Sequence, residues 1–276
     1  MKIEIPKNIN SLRMDIGTST TAPNTSNWIR DIDDCFVIAV EPVLRNVITS
    51  TELMSQSANF KNTYFIHAAV DNVKEPEEGL MYVTKGNIGC SSLYLPRSHK
   101  IEHEEKVTKV SLNYILDKID WKSVNFDYIE YFKTDTQGNE INVLKSMKKY
   151  LNKIAILEIE CTTWDEYHDT PKEDEVLSFL EENNFDFLKN CEDSWRHDYG
   201  MYVDRIFINK NFLHLKDKIK KDFAPDSRLV SIHSEGSPQR SVDVNSFAIA
   251  FGNVMMERQV DSKVNNYYSF PTKELS

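Results

Sequence analysis

The chain has 276 residues, 40% of them hydrophobic, with 8 Gly and 9 Pro. That suffices for one large α/β domain or a domain with an extension, and excludes a linker-rich or disordered chain. Formal net charge is −10, from 43 acidic and 33 basic residues. This weighs against nucleic acid as the main partner, because phosphate binding draws on clustered Lys and Arg.

Cys35, Cys90, Cys161 and Cys191 lie far apart with no C-x-x-C pair, as expected of reduced thiols in a cytoplasmic setting. The start, MKIEIPKNIN, lacks an apolar segment of signal-peptide length, and runs such as Cys35–Val40 are strand-sized. No membrane span is expected.

In chain order, Leu12–Ile16 reads as a strand and residues 24–32 as a helix with Trp28, Ile29 and Ile32 on one face. Cys35–Val40 is an unbroken apolar run, the pattern of a strand buried on both faces. A helix is expected over residues 43–54 after Pro42, and a third strand over 63–70. Residues 79–84 and 91–95 read as short extended pieces around Gly86 and Gly89, a hairpin or a flap. Residues 106–110 lead into a helix at 112–119. Then come a strand at 127–132, a helix at 140–151, a strand at 154–159 and a helix at 173–183. Two more strands follow, at 185–188 and 205–208, separated by a polar loop with Trp195, Arg196, His197 and Tyr199. Alternation of this kind implies a doubly wound, mostly parallel sheet. Residues 211–276 break the rhythm: a charged helix over 213–223, a loop over 227–244, a helix over 247–260 and a polar tail are expected. The division is thus a domain at 1–210 and an extension at 211–276, a candidate surface for interaction or self-association.

Four acids, Asp15, Glu41, Asp135 and Glu160, end four candidate parallel strands. Strand interiors in such sheets are expected to be apolar, and ligands bind at the carboxyl edge. Each acid alone reads equally well as a helix cap. Together they line one edge. The richest stretch is Lys133-Thr134-Asp135-Thr136-Gln137-Gly138-Asn139-Glu140, a strand-to-helix turn. Gly17 allows close backbone approach, and Glu41 has the spacing to accept two hydrogen bonds from a ribose diol. The turn GTSTTAPNTSNW holds one glycine, which argues against a pyrophosphate and allows S-adenosylmethionine.

Asp15-Ile16-Gly17, Val40-Glu41-Pro42, Gly89-Cys90-Ser91-Ser92-Leu93, the octet at 133–140, Ile156-Leu157-Glu158-Ile159-Glu160 and the closing strand at 204–208 together resemble the FkbM-type methyltransferase family. The resemblance runs from about Leu12 to about Asn209. It implies a class I methyltransferase (Rossmann-like) α/β fold, with a doubly wound seven-stranded sheet whose last strand is antiparallel. It also implies S-adenosylmethionine as donor and a hydroxyl acceptor on a saccharide or small metabolite. On that resemblance Asp15 and Gly17 would flank the methionine part of the donor, with Ser19 and Thr20 in the same turn. Glu41, next to Pro42, would hold the ribose, Ala68 and Ala69 would border the adenine, and Asp135 would face the sulfonium. The chain departs from the family's pattern twice. A second glycine is missing from the first loop, and Gln137 stands where an acid is common.

Asp135 is the first candidate for a general base or acceptor-orienting group, and Glu160 the second. Glu158 is expected to make a structural hydrogen bond. Ser91, Ser92, Tyr94, Trp164, His168, Arg196 and His197 are the candidate acceptor contacts. His99 and His103, four apart among Lys100, Glu102, Glu104 and Glu105, read as a solvated face, and no metal site is expected. Two alternatives remain: a nicotinamide-dependent oxidoreductase or sugar epimerase, and a non-catalytic donor-binding scaffold.

Overall fold

The computed structural model describes residues 2–191, 195–197, 200–216 and 267–269, with 195–197, 200–202 and 267–269 described by their backbone alone. Residues up to Leu213, with the short stretch at 267–269, belong to one compact unit; His214–Asn265 is a second.

The main sheet is built on three central parallel strands, β1 (Ser11–Ile16), β2 (Cys35–Glu41) and β7 (Ile129–Thr134). Every residue of β2 and β7 is buried, because helices cover both faces. β3 (Thr63–His67) extends the sheet beyond β2, and β8 (Ile154–Thr162) beyond β7. β11 (Gly200–Asn209) runs antiparallel against β8, and β9 (Phe185–Asn190) antiparallel against β11. The seven strands stand in the order β3-β2-β1-β7-β8-β11-β9, and the last in sequence is the reversed one. The expected architecture is observed.

The main helices are α1 (Pro23–Asp31), α2 (Leu44–Met54), α3 (Leu112–Leu116), α4 (Glu140–Lys145) and α5 (Glu173–Glu182). α1 starts on Pro23, whose fixed φ suits a first turn, and turns Thr25, Trp28 and Ile29 inward. Leu12, Ile38, Ile66, Leu112, Ile115 and Phe132 form the fully buried centre of the core.

Several expectations are corrected. The third strand does not reach Val70. Ala68 N–H bonds Glu41 O at 3.2 Å, and Ala69–Val70 (β4) joins a second sheet. That sheet has the order β4-β6-β5, with β5 (Glu77–Thr84) antiparallel to a ten-residue β6 (Ile101–Val110). The expected flap is therefore a three-stranded sheet; within 91–95 the described ladder contact is a single bridge, Tyr82 to Ser92. α4 is shorter than its apolar spacing implied. The Ser146 hydroxyl turns to Val143 O at 2.7 Å and accepts Leu112 N–H at 3.0 Å, ending the helix. Trp195–His197 is a strand, β10, paired with β11, rather than a loop. Tyr267–Ser269 (β12) adds a parallel strand at the β3 edge, where a polar tail was expected. The helices expected at 247–260 and beyond Lys216 fall outside the described residues. Nor are strand interiors wholly apolar: Arg13 on β1 and Glu130 on β7 form a buried ion pair at 2.9 Å, with Trp28 over the guanidinium. Pairing is what permits such burial.

Candidate active site

At the carboxyl ends of β1, β2, β3, β7 and β8 lies a cavity of about 550 Å³, with the β4–β6 sheet and the 88–93 segment forming its far wall. The volume is that of a typical ligand site.

Gly17 explains why the first turn and the octet meet. Its φ is +80°, and a Cβ there would fall 1.9 Å from the Asp135 carbonyl oxygen. Gly17 N–H bonds Val40 O at 2.9 Å, and Asp135 N–H bonds Ile16 O at 2.9 Å. Three strand ends are thereby stitched into one floor. Glycine is required here because a side chain would strike backbone, which cannot swing aside.

The octet is shaped by its last residue. Glu140 Oε1 accepts from Thr136 N–H at 2.8 Å and Gly138 N–H at 3.2 Å, and burial pushes its carboxyl up to about 7. Gln137 sits in left-handed backbone at φ 58°, pinned by Ser92 Oγ donating to its carbonyl at 2.7 Å. Its Nε2 donates to Asp135 Oδ1 and to Glu160 Oε2, both at 2.8 Å, and Tyr167 Oη donates to its Oε1 at 2.7 Å. Gln137 thus clamps two acids together. This accounts for an amide where the family favours an acid: a third carboxylate here would repel both neighbours and supply no donors.

Lys133 completes the cluster, its Nζ 3.0 Å from Asp135 Oδ2. Burial opposes the lysine's charge, but Asp135, Asp204, Glu158 and Asp15 outweigh it and hold the ammonium well above its ordinary pKa. Burial likewise opposes the charge on Asp135, yet Lys133 and the Gln137 amide bring it below the ordinary carboxylate value. Glu160 goes the other way, raised well above its ordinary value by burial and by the charges of Asp135, Glu140 and Asp204. The two directions are opposite: the surroundings favour the anion on Asp135 and the proton on Glu160. Asp135 keeps 30% of its side chain exposed and faces the cavity. Glu158 makes the structural bond expected of it, accepting from Tyr131 Oη.

At the other end, Glu41 is 3% exposed and lines the cavity. Its Oε1 accepts from Val43 N–H at 3.0 Å and Asn46 Nδ2 at 3.1 Å, its Oε2 from Ser19 N–H at 2.9 Å. Three of about four acceptor positions are thus taken, leaving room for one further donor rather than a whole diol. Burial pushes Glu41 up to about 7 despite those bonds.

The cavity wall gathers Gly17, Ser19, Glu41, Pro42, Ala68, Ala69, Ser91, Asp135 and Glu160 from the expected set. Others stand behind it. Asp15, 1% exposed, accepts from Thr25 N–H at 3.1 Å and Thr25 Oγ1 at 2.7 Å, so it ties down the start of α1. Thr20 Oγ1 bonds Asn46 Oδ1 at 3.1 Å. Ser92 is fully buried beneath the octet, and the Tyr94 hydroxyl is engaged by Asn139 and Asn142. Trp164 and His168 lie off the wall. The side chains of Arg196 and His197 fall outside the described residues.

Sequence reasoning assigned no role to Lys133, Cys90 or Glu166, and read His99 as part of a solvated face. Lys133 was legible: two residues before Asp135 on one strand, it shares that residue's face. Cys90, His99 and Glu166 come from three separate segments and carry no joint signal. His99 is not half of a pair with His103. Its Nε2 bonds the Glu166 carboxylate, while His103 Nε2 lies 3.5 Å from Glu105 on β6. Burial, with Glu166, Glu160 and Asp135 nearby, pushes the Cys90 thiol up to about 12.

Seven core strands with β11 reversed, and an acid-lined cavity at the strand ends, make up the class I methyltransferase fold. The sequence profile of the methyltransferase FkbM domain matches residues 15–187. The chain belongs to that family of S-adenosylmethionine-dependent methyltransferases. Among solved structures, M. capricolum TrmK, in complex with S-adenosyl-homocysteine, is similar at 11% identity and TM-score 0.40, covering 92% of each chain. A precorrin-6y C5,15-methyltransferase from Geobacter metallireducens is similar at 10% identity and TM-score 0.41, covering 73% of this chain and 80% of that one. An S-adenosylmethionine-dependent methyltransferase from Aquifex aeolicus is similar at 13% identity and TM-score 0.36, covering 73% and 84%. No curated protein matches the chain in sequence. Among the described residues no helix is long and apolar enough to cross a membrane.

Proposed function

We propose that this protein transfers the methyl group of S-adenosylmethionine to a hydroxyl of a small polar acceptor, a saccharide being the class that fits best. S-adenosylmethionine, when bound, supplies an electrophilic methyl group on a sulfonium. The residues present suit it. Glu41 keeps one acceptor position for a ribose hydroxyl, Ala68 and Ala69 are small enough to border a flat base, and Gly17 keeps the floor clear of a side chain.

The observation that carries the acceptor class is the state of Asp135. Lys133 and the Gln137 amide favour its anion, its side chain is partly exposed, and one position of each oxygen is spent on Gln137 and Lys133. Asp135 lines the cavity, and a carboxylate accepts hydrogen bonds, which suits hydroxyl donors. A carboxylate held below its ordinary pKa is a weak base. Asp135 therefore aligns the acceptor oxygen for in-line attack, and alignment contributes much of the rate in such a displacement. The net charge of −10 favours a neutral small acceptor over nucleic acid. In this reading residues 1–210 carry the chemistry, and 211–276 serve interaction.

The test is transfer of labelled methyl groups from S-adenosylmethionine to a panel of mono- and oligosaccharides, small hydroxylated metabolites and RNA. Label in a saccharide, lost in Asp135→Asn with little change in donor binding, supports the reading. Label confined to RNA would overturn it.

A further inference from the structure

Beside the Asp135–Glu160 cluster, where Tyr167 reaches both Gln137 and Cys90, three donors of different chemistry converge. Cys90 closes the turn Ile88–Cys90, His99 precedes β6, and Glu166 lies in the loop after β8. Cys90 Sγ, a His99 ring nitrogen and a Glu166 carboxylate oxygen all lie within 4.8 Å of one another. Glu166 is 0% exposed, one oxygen bonds His99, and its Oε2 has no hydrogen-bond partner among the described residues. A buried carboxylate oxygen without a partner is costly, and a thiol is too weak a donor to offset it.

We propose that Cys90, His99 and Glu166 bind a divalent metal ion of borderline softness, Zn²⁺ foremost. The donor set of one sulfur, one imidazole nitrogen and one carboxylate oxygen is that of zinc; magnesium and calcium take oxygen alone. A thiolate, a carboxylate and a divalent cation also sum to zero, so the filled cluster is neutral. The frame is built independently of any ion. Arg97 N–H bonds Glu166 O at 2.7 Å, His168 N–H bonds Leu95 O at 3.0 Å, and Tyr167 Oη lies 2.9 Å from Cys90 O. Asn87 Nδ2 points at Cys90 Sγ from 3.0 Å, the kind of outer donor that steadies a metal-bound thiolate. In the filled site the His99–Glu166 hydrogen bond gives way to bonds of ~2.0–2.3 Å from each residue to the ion. Cys90 and His99 line the cavity, so a fourth coordination position opens towards it. Three protein ligands with one open position is the pattern of a reactive zinc site rather than a closed structural one.

The test is titration of the metal-free full chain with Zn²⁺ against a chromophoric chelator, and with Co²⁺ followed by absorption. The wild type is expected to take up one Zn²⁺ per chain, and its Co²⁺ adduct to show tetrahedral bands with thiolate-to-cobalt charge transfer. Cys90→Ser should abolish the charge-transfer band, and each of Cys90→Ser, His99→Gln and Glu166→Gln should weaken Zn²⁺ by more than about tenfold. Circular dichroism and cooperative urea unfolding report whether each variant folds; if one does not, the wild-type Co²⁺ spectrum still decides. Zinc uptake unchanged in folded variants, or a wild-type Co²⁺ spectrum without a sulfur band, would overturn the proposal.

Discussion

The two walls of the cavity handle buried charge in opposite ways. On the strand-end wall each acid is answered: Asp135 by Lys133 and Gln137, Glu41 by two backbone N–H groups and Asn46, Asp15 by Thr25. Behind the far wall, Glu166 keeps a buried oxygen without a partner among the described residues, next to a histidine and a cysteine that line the cavity. On the first wall these acids have protein partners, and they serve as architecture that also touches ligand. The second is finished only by something that is not protein. Burial alone does not separate them; donor bookkeeping does.

The comparison breaks most severely at Gly17. Gly17→Ala forces a Cβ into the Asp135 carbonyl and demands left-handed backbone of an alanine. The expected cost is about 2–5 kcal/mol in urea unfolding, with loss of donor binding. A near-neutral effect would show that the two turns are not locked together. Next comes Gln137→Leu, which strips one donor from each of Asp135 and Glu160. It should cost about 2–4 kcal/mol and lower methyl transfer. Stability equal to wild type would mean that the clamp is not what holds the acids.

Glu41 sharpens the contrast through pH. Its carboxyl rises from 4.5 to about 7 on folding, so between those values the folded state binds more protons than the unfolded. Stability must then fall as pH rises from 4.5 to about 7 and level off above. Glu140 acts in the same direction. In Glu41→Gln the decline should be visibly shallower, as read from unfolding free energies across that window; an identical slope would put the titration elsewhere. The smallest effect is expected on the far wall. In metal-free protein Glu166→Gln keeps the oxygen that faces His99 and disturbs no other side-chain bond, so it should cost less than about 1 kcal/mol. A large loss there would mean that Glu166 is architecture too.

The strand-end wall was legible because its parts are local. A strand ending in an acid, a glycine in the first turn and the octet at 133–140 each fit within eight residues, and strand alternation fixes which side chains share an edge. What failed was local competition. Ser146 ended α4 early, and Ala68 turned out of the sheet, although the apolar spacing ran on. Asp15 and Glu41 were legible as edge acids, but not the donors that occupy them, since Thr25 and Asn46 come from the next helices. The far wall was not legible. Residues 90 and 99 belong to the connection between β5 and β6 and residue 166 to the loop after β8, and of the ten-residue β6 the sequence marks only 106–110, as a lead into a helix. Periodicity reports which face an element buries, not which loops converge.

The central claim, a donor site organised by Glu41 at the strand ends, is tested most directly by calorimetric titration with S-adenosylhomocysteine and NAD, using wild type and Glu41→Ala. The account predicts saturable binding of one S-adenosylhomocysteine per chain, weakened by more than about tenfold in the variant, a loss on the scale of one hydrogen bond to a charged group, and no binding of NAD. Silence toward S-adenosylhomocysteine together with tight NAD binding would contradict it.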